Sequence, residues 1–179
     1  MTDKEFDEFI VDRRKSGLVL GLDSMKHLLK KLGNPESKLK FVHVAGTNGK
    51  GSISSFIANI LADGGYKTGK YTSPEVVTYR EKIQINGKNI TKKAMYEGME
   101  IIREIVKDTP DNIKPTLFEV ETALAFWYFE KNKCDIAIIE TGMGGIEDAT
   151  NVITNTIVAV FATISYDHMA ILGNTLEEI

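Results

Sequence analysis

The sequence predicts an α/β fold, a mostly parallel sheet flanked by helices, and three observations carry that prediction. An apolar strand pattern runs through a glycine-rich turn into a helix pattern over residues 40–61. A nearly continuous apolar run at 136–139 delivers Glu140 into a second glycine-rich loop. A third run, at 156–164, gives way to Ser165, Tyr166, Asp167 and His168. Parallel strands joined by helical crossovers are buried on both faces and read as apolar runs of this kind. Ligands bind such sheets beyond the strands' carboxyl ends, so polar endings at Gly46, Glu140 and Asp167 point together to one site.

A chain of 179 residues is long enough for one sizeable core. Its 42% hydrophobic and 26% charged residues describe an ordinary globular protein rather than a disordered one. With 22 basic against 25 acidic side chains, the formal charge of −3 gives no general electrostatic case for a nucleic-acid partner. Cys134 is the only cysteine, which excludes an internal disulfide framework and a cysteine-rich zinc site. The first five residues are too acidic for a secretory leader, and no apolar run has membrane-spanning length, so a cytoplasmic location is the default expectation.

Taken in order, residues 5–32 carry helical spacing in Phe6, Phe9, Ile10, Leu18, Leu20, Leu22, Met25, Leu28, Leu29 and Leu32, interrupted near Gly17 and Gly21. Asp23 reads as a helix cap and His27 as a residue on a helix flank. Gly33, Asn34 and Pro35 end this part. His43 lies inside the next strand pattern and suits packing better than proton transfer.

The following turn places Gly46, Thr47, Asn48, Gly49, Lys50, Gly51 and Ser52 before a helix over 53–61. Glycines let backbone N–H groups converge on an anion, and the new helix turns its positive end to the same point. Lys50 can meet phosphate charge, and Ser52 can offer a hydroxyl to phosphate or its metal. The pattern departs from G-x-x-x-x-G-K-[ST], with Val44 for the first glycine and Gly51 between Lys50 and Ser52. A plain turn before a helix is the competing reading.

Residues 67–72 predict a second parallel strand, closed by Ser73 and Pro74. Pro74 holds Ser73 extended, which either presents its hydroxyl at the strand end or simply ends the strand. Alternation over 76–90 around Asn86 and Gly87 predicts a hairpin excursion from the main sheet. Thr91 can cap a helix carrying Met95, Met99, Ile102 and Val106. A further helix over 116–129 is rich in core aromatics, and a helix does not set Glu119 and Glu121, two residues apart, on one face.

Cys134 begins the run that ends at Glu140. An acid at that edge can organise magnesium beside phosphate oxygens, since Mg²⁺ uses few protein carboxylates; a solvated strand-end charge is the alternative. His168 can coordinate a cation through one nitrogen while a carboxylate holds the other, and Asp167 is the adjacent candidate.

These motifs occur in a fixed order: 45–52, Tyr71 to Pro74, Glu81 to Gly87, Phe118 with Glu119, Glu140 to Gly145, Asp148 to Asn151, and Asp167 with His168. The series resembles the amino-terminal part of folylpolyglutamate synthase and dihydrofolate synthase, within the Mur ligase family, and covers essentially the whole chain. The resemblance implies a P-loop-containing, Mur-ligase-like ATP-binding domain over 1–179, with a carboxyl-terminal domain absent. It implies an ATP-dependent, ADP-forming amide ligase that adds L-glutamate to a folate through an acyl phosphate. Residues 46–52 would bind ATP, with Lys50 offsetting charge during transfer. Ser73 and Glu140 resemble ligands of a first magnesium and His168 a ligand of a second. Lys50, Glu140 and His168 are thus the expected catalytic set, with ATP and Mg²⁺ as cofactors.

Two departures from the family pattern stand out: Glu75 where His usually follows Ser-Pro, and Ile146 where Arg commonly follows the glycines. The end at Ile179 reads as the opening of another helix, so the 179-residue chain by itself is expected to lack turnover. Other Mur-type ligases, such as one acting on a cell-wall precursor, and a nucleotide-binding interaction module are the alternatives. Oligomeric state and the preference between dihydropteroate and folylpolyglutamate stay open at this level.

Overall fold

The computed structural model describes every residue except Leu18 and Leu20, so the helical reading of those two lies outside the described residues. Six strands form one sheet in the order β4-β3-β2-β5-β1-β6. Strands β1 (Phe41–Ala45), β2 (Thr68–Tyr71), β5 (Ile136–Glu140) and β6 (Thr156–Phe161) are mutually parallel. The apolar runs of the sequence supply them, and β5 is buried at all five positions.

The chain leaves β1 through α3 (Lys50–Asp63), skips one place and returns as β2; β5 later fills the gap. That leaves α3 on one face, where Ile53, Ile57, Ala58 and Leu61 pack on Val42, Val44, Ile136 and Ile138. The opposite face carries α1 (Asp3–Arg14), α2 (Asp23–Lys31), α4 (Lys92–Lys107) and α5 (Leu117–Lys131). Phe41, Tyr71, Met99, Ile102, Phe126 and Phe129 fill the larger core beneath them. Close approach there depends on Gly69, where an added Cβ would lie 2.7 Å from the Phe129 ring.

Helix starts follow the sequence chemistry at Thr91 and Thr116, whose side chains accept from Ala94 N–H and Glu119 N–H. Asp23 differs: it is the first residue of α2, and Leu22 holds the cap position without a side-chain bond. The acid still sits where the helix dipole favours it.

The expected hairpin forms as β3 (Ile83–Ile85) and β4 (Lys88–Asn89), with Asn86 and Gly87 at φ 45° and 73°. It is more than an excursion, because β3 pairs antiparallel with β2 and extends the sheet. Without it the outer edge of β2 would leave its backbone groups unpaired. The first part of the predicted alternation is instead a loop and a 3₁₀ turn at Tyr79–Lys82. Glu81 accepts there from the N–H groups of Val76, Val77 and Thr78, an arrangement that competes successfully with strand pairing.

Cys134 is buried, and burial pushes its thiol up to about 11, in keeping with a packing role. No helix among the described residues is long and apolar enough to cross a membrane.

Candidate functional site

The carboxyl ends of β1, β5 and β2, together with the segment after β6, form the rim on which the predicted residues lie. Gly46 follows β1 at φ +139°, and a Cβ there would stand 2.8 Å from Ala162 Cβ. Only glycine lets the loop pass so close to the chain leaving β6. Thr47 then ties the two loops together. Its N–H donates to Thr163 O at 2.8 Å, its hydroxyl donates to Ser165 O at 2.9 Å, and Ser165 N–H donates back at 3.0 Å. Asn48 N–H also donates to Thr163 O. Thr47 and Asn48, expected among the phosphate binders, therefore hold the loop's shape with their backbone donors.

Anion-binding capacity falls to the next four residues. Gly49, at φ +87°, has open space beside it, and no side chain caps α3. Lys50, Gly51 and Ser52 form the first turn of that helix, where N–H groups have no intrahelical acceptor. The Lys50 ammonium folds back onto its own turn, donating to Gly46 O at 2.7 Å and Thr47 O at 3.4 Å. Both partners are neutral carbonyls, so a phosphate, which brings full negative charge, can compete for the ammonium.

Glu140 stands beside this turn: a Cβ on Gly51 would come into contact with its Oε2 at 3.4 Å. The carboxyl is only 5% exposed. Burial pushes its pKa up, while the Lys50 charge, the Ser73 amide and the Lys70 charge pull it back down. A buried carboxylate beside two lysines and the Ser73 amide is well suited to a cation and its anionic ligand.

Three cavities meet along the rim. One, of about 210 Å³, is lined by Gly46, Lys50, Asp167 and His168. A second, of about 440 Å³, is lined by Ser73, Lys82, Phe118, Glu121, Met143 and His168. A third, of about 640 Å³, holds Ser52, Lys70, Ser73 and Glu140. Lys50 thus shares a cleft with His168, and Ser73 shares one cleft with Glu140 and another with His168. Among the described residues, none of these three cavities is lined by Ser73, Glu140 and His168 together. Nor does any group of three His, Cys, Asp or Glu side chains among the described residues make a ready cation cage. His168 is about half exposed, with its Nε2 3.8 Å from Asp167 Oδ2. Such a sparse donor set fits magnesium, which keeps most of its waters and takes phosphate oxygens, better than a metal needing a full protein shell.

Several residues matter more than the sequence suggested. Asp148 Oδ2 accepts the N–H groups of Gly142 and Met143, and its Oδ1 accepts the N–H and hydroxyl of Thr150. It moulds the glycine loop after Glu140, and Thr150 in turn meets His43 Nε2 at 2.8 Å. His43 is thereby a packing residue, its pKa lowered by burial, as its strand position predicted. Glu119 and Glu121 overturn the helical-face expectation, since both are buried and both line the second cavity. Glu119 curls back into the capping box with Thr116, while Glu121 reaches Lys82 at 2.8 Å. The S/T-x-x-E spacing from Thr116 signals the first; nothing local signals the second.

Residues 44–179 match the family model of the Mur ligase middle domain. A Bacillus subtilis dihydrofolate synthase/folylpolyglutamate synthase is 44% identical over 174 residues, 96% of this chain and 40% of the relative. Among solved structures, an FPGS–AMPPCP complex has a TM-score of 0.91 at 35% identity, covering 99% of this chain and 43% of that one. E. coli FolC in complex with DHPP and ADP has a TM-score of 0.89 at 32% identity, covering 98% and 41%. The chain therefore spans about two fifths of the length of each of these three proteins.

Proposed function

The chain belongs to the Mur ligase middle-domain family, and from that premise we propose that it forms the nucleotide- and acceptor-binding part of an ATP-dependent, ADP-forming ligase joining L-glutamate to a folate. One observation carries the reading: Ser73 walls both the cleft of Glu140 and the apolar cavity of Phe118. An acceptor in the second cavity can thus extend its carboxylate to the edge where a nucleotide phosphate is held.

The residues divide the work. Gly49, Lys50, Gly51 and Ser52 receive the phosphates, and the Lys50 ammonium offsets charge as phosphoryl moves to the acceptor carboxylate. Ser73 and Glu140 are the groups that would hold a first magnesium, and His168 a second. The metal would draw the two anionic reactants together. Phe118 offers a flat wall and Met143 a polarizable one, and Glu119 and Glu121 offer acceptors, a combination that suits a heteroaromatic ring rich in N–H donors. Attack of the glutamate amine on the acyl phosphate then forms the amide bond, breaks the acyl carbon–oxygen bond and releases inorganic phosphate, which completes the proposed reaction.

Calorimetry with a non-hydrolysable ATP analogue, magnesium and dihydropteroate tests this directly. Both compounds are expected to bind without competing; failure of the nucleotide to bind would overturn the reading, and tighter binding of a cell-wall precursor would overturn the folate part. Glu140→Gln is expected to raise the melting temperature, because it removes a carboxylate whose ionisation burial disfavours. The same variant should lose about tenfold or more of the magnesium-dependent gain in nucleotide affinity. The 179-residue polypeptide on its own is expected to release no ADP in response to folate and glutamate in a coupled assay. Its clefts stand open to water, with Phe161 74% exposed on the wall of the Lys50 cavity.

A further inference from the structure

The acceptor cavity is strongly one-sided in charge. Glu119, Glu121, Glu147 and Asp148 line it, and among the described residues Lys82 is the one lysine or arginine on its wall. Lys82 is not available to a ligand. Its ammonium lies 2.7 Å from Glu75 and 2.8 Å from Glu121, over the face of Tyr79 at 4.7 Å from the ring centre. Lys82 is 8% exposed and Glu121 4%, so solvent does little to weaken that pair, whereas the Glu75 side chain is one-third exposed. Two carboxylates on one ammonium leave a surplus negative charge beside Ser73 and Pro74, the edge past which the acceptor's carboxylate must travel.

We infer that the Glu75–Lys82–Glu121 cluster sets acceptor specificity: it favours a pteroate-type acid, whose one carboxylate is the reacting group, over folates carrying further glutamyl carboxylates. The inference rests on the acceptor reading of this cavity. A single carboxylate reaches the rim, where Lys50 and a cation can receive it. Each additional carboxylate has to lie near the cluster, where a like charge in a poorly solvated wall opposes it, and the exposed Arg14 guanidinium, which also acts on Glu75, offsets it only through screening solvent. Glu75 is the adjustable member. It comes from the loop after Ser73 rather than from the core, and its carboxyl is held below the usual carboxylate range chiefly by its bond to Lys82.

Titration calorimetry of the 179-residue chain with dihydropteroate and with its mono- and diglutamyl forms supplies the test. Dihydropteroate is expected to bind about tenfold more tightly than the diglutamyl form, with the gap narrowing as salt is raised. Glu75→Gln, a change in a partly exposed loop residue, should bring the two affinities within about threefold by removing the surplus negative charge while Lys82 stays paired with Glu121. Lys82→Met should widen the gap instead, and the salt dependence of the unaltered chain stands in for it if that variant does not fold. Tighter binding of the glutamylated forms by the unaltered chain, or an unchanged ratio in Glu75→Gln, would overturn the charge argument while leaving the cavity's pterin reading intact. If none of the three compounds binds, the acceptor reading fails and this inference falls with it.

Discussion

Replacing Asp148 by alanine is expected to cost roughly 3 kcal/mol of folding stability, because three backbone N–H groups lose their acceptor at once in a buried place. For a chain of this size that amounts to a fall of about 6–12 °C in melting temperature. The loop from Gly142 to Gly145 would lose its shape as well. Gly142 and Met143 line both the Lys50 cavity and the acceptor cavity, so nucleotide and pterin affinities should fall together. Asp148→Asn retains one oxygen acceptor and is expected to lose about half as much. Thermal melts of the two variants decide the matter; a loss under about 1 kcal/mol in the alanine variant would show that the loop holds its form without this carboxylate.

Lys50→Met should act in the opposite sense, on binding rather than on stability. Its ammonium touches only the carbonyls of its own turn, so the melting temperature is expected to move by less than about 2 °C. Affinity for a magnesium-bound ATP analogue should fall about 100-fold, or about 2.7 kcal/mol, the scale of losing charge-assisted bonds to phosphate. Isothermal titration is the measurement, and an affinity within threefold of the unaltered chain would remove Lys50 from the nucleotide site.

The two variants also mark what was legible beforehand. Lys50 stands in a strand–glycine–helix pattern whose physics is local, so its position could be read from its neighbours in sequence. Asp148 was one polar residue among several at 147–151, and its bonds reach back across a loop to Gly142 and Met143. Glu119 and Glu121 were harder still. Helical periodicity separates them by about 200°, yet a capping box pulls one side chain back and an ion pair draws the other toward the same cavity. Periodicity places a Cβ, whereas a long carboxylate is placed by whatever it finds to bond.

The hairpin shows the same division at the level of strands. Asn86 and Gly87 announced its turn, but its membership in the sheet depended on β2 having an unpaired edge, a fact created only when β5 inserts between β1 and β2.

The sequence by itself determined the parallel α/β class, the three strand ends that carry polar residues, the helix starts at Thr91 and Thr116, and the Lys50 turn. Each is written in periodicity or in contacts within a few residues, where chain connectivity alone enforces proximity. The tertiary structure decided which strand ends share a cleft, that Thr47 spends its donors on the segment after β6, and that Lys82 is held between Glu75 and Glu121. Those outcomes join residues as far as 118 positions apart. Only packing the sheet brings such groups together, and burial then sets how strongly their charges act on one another.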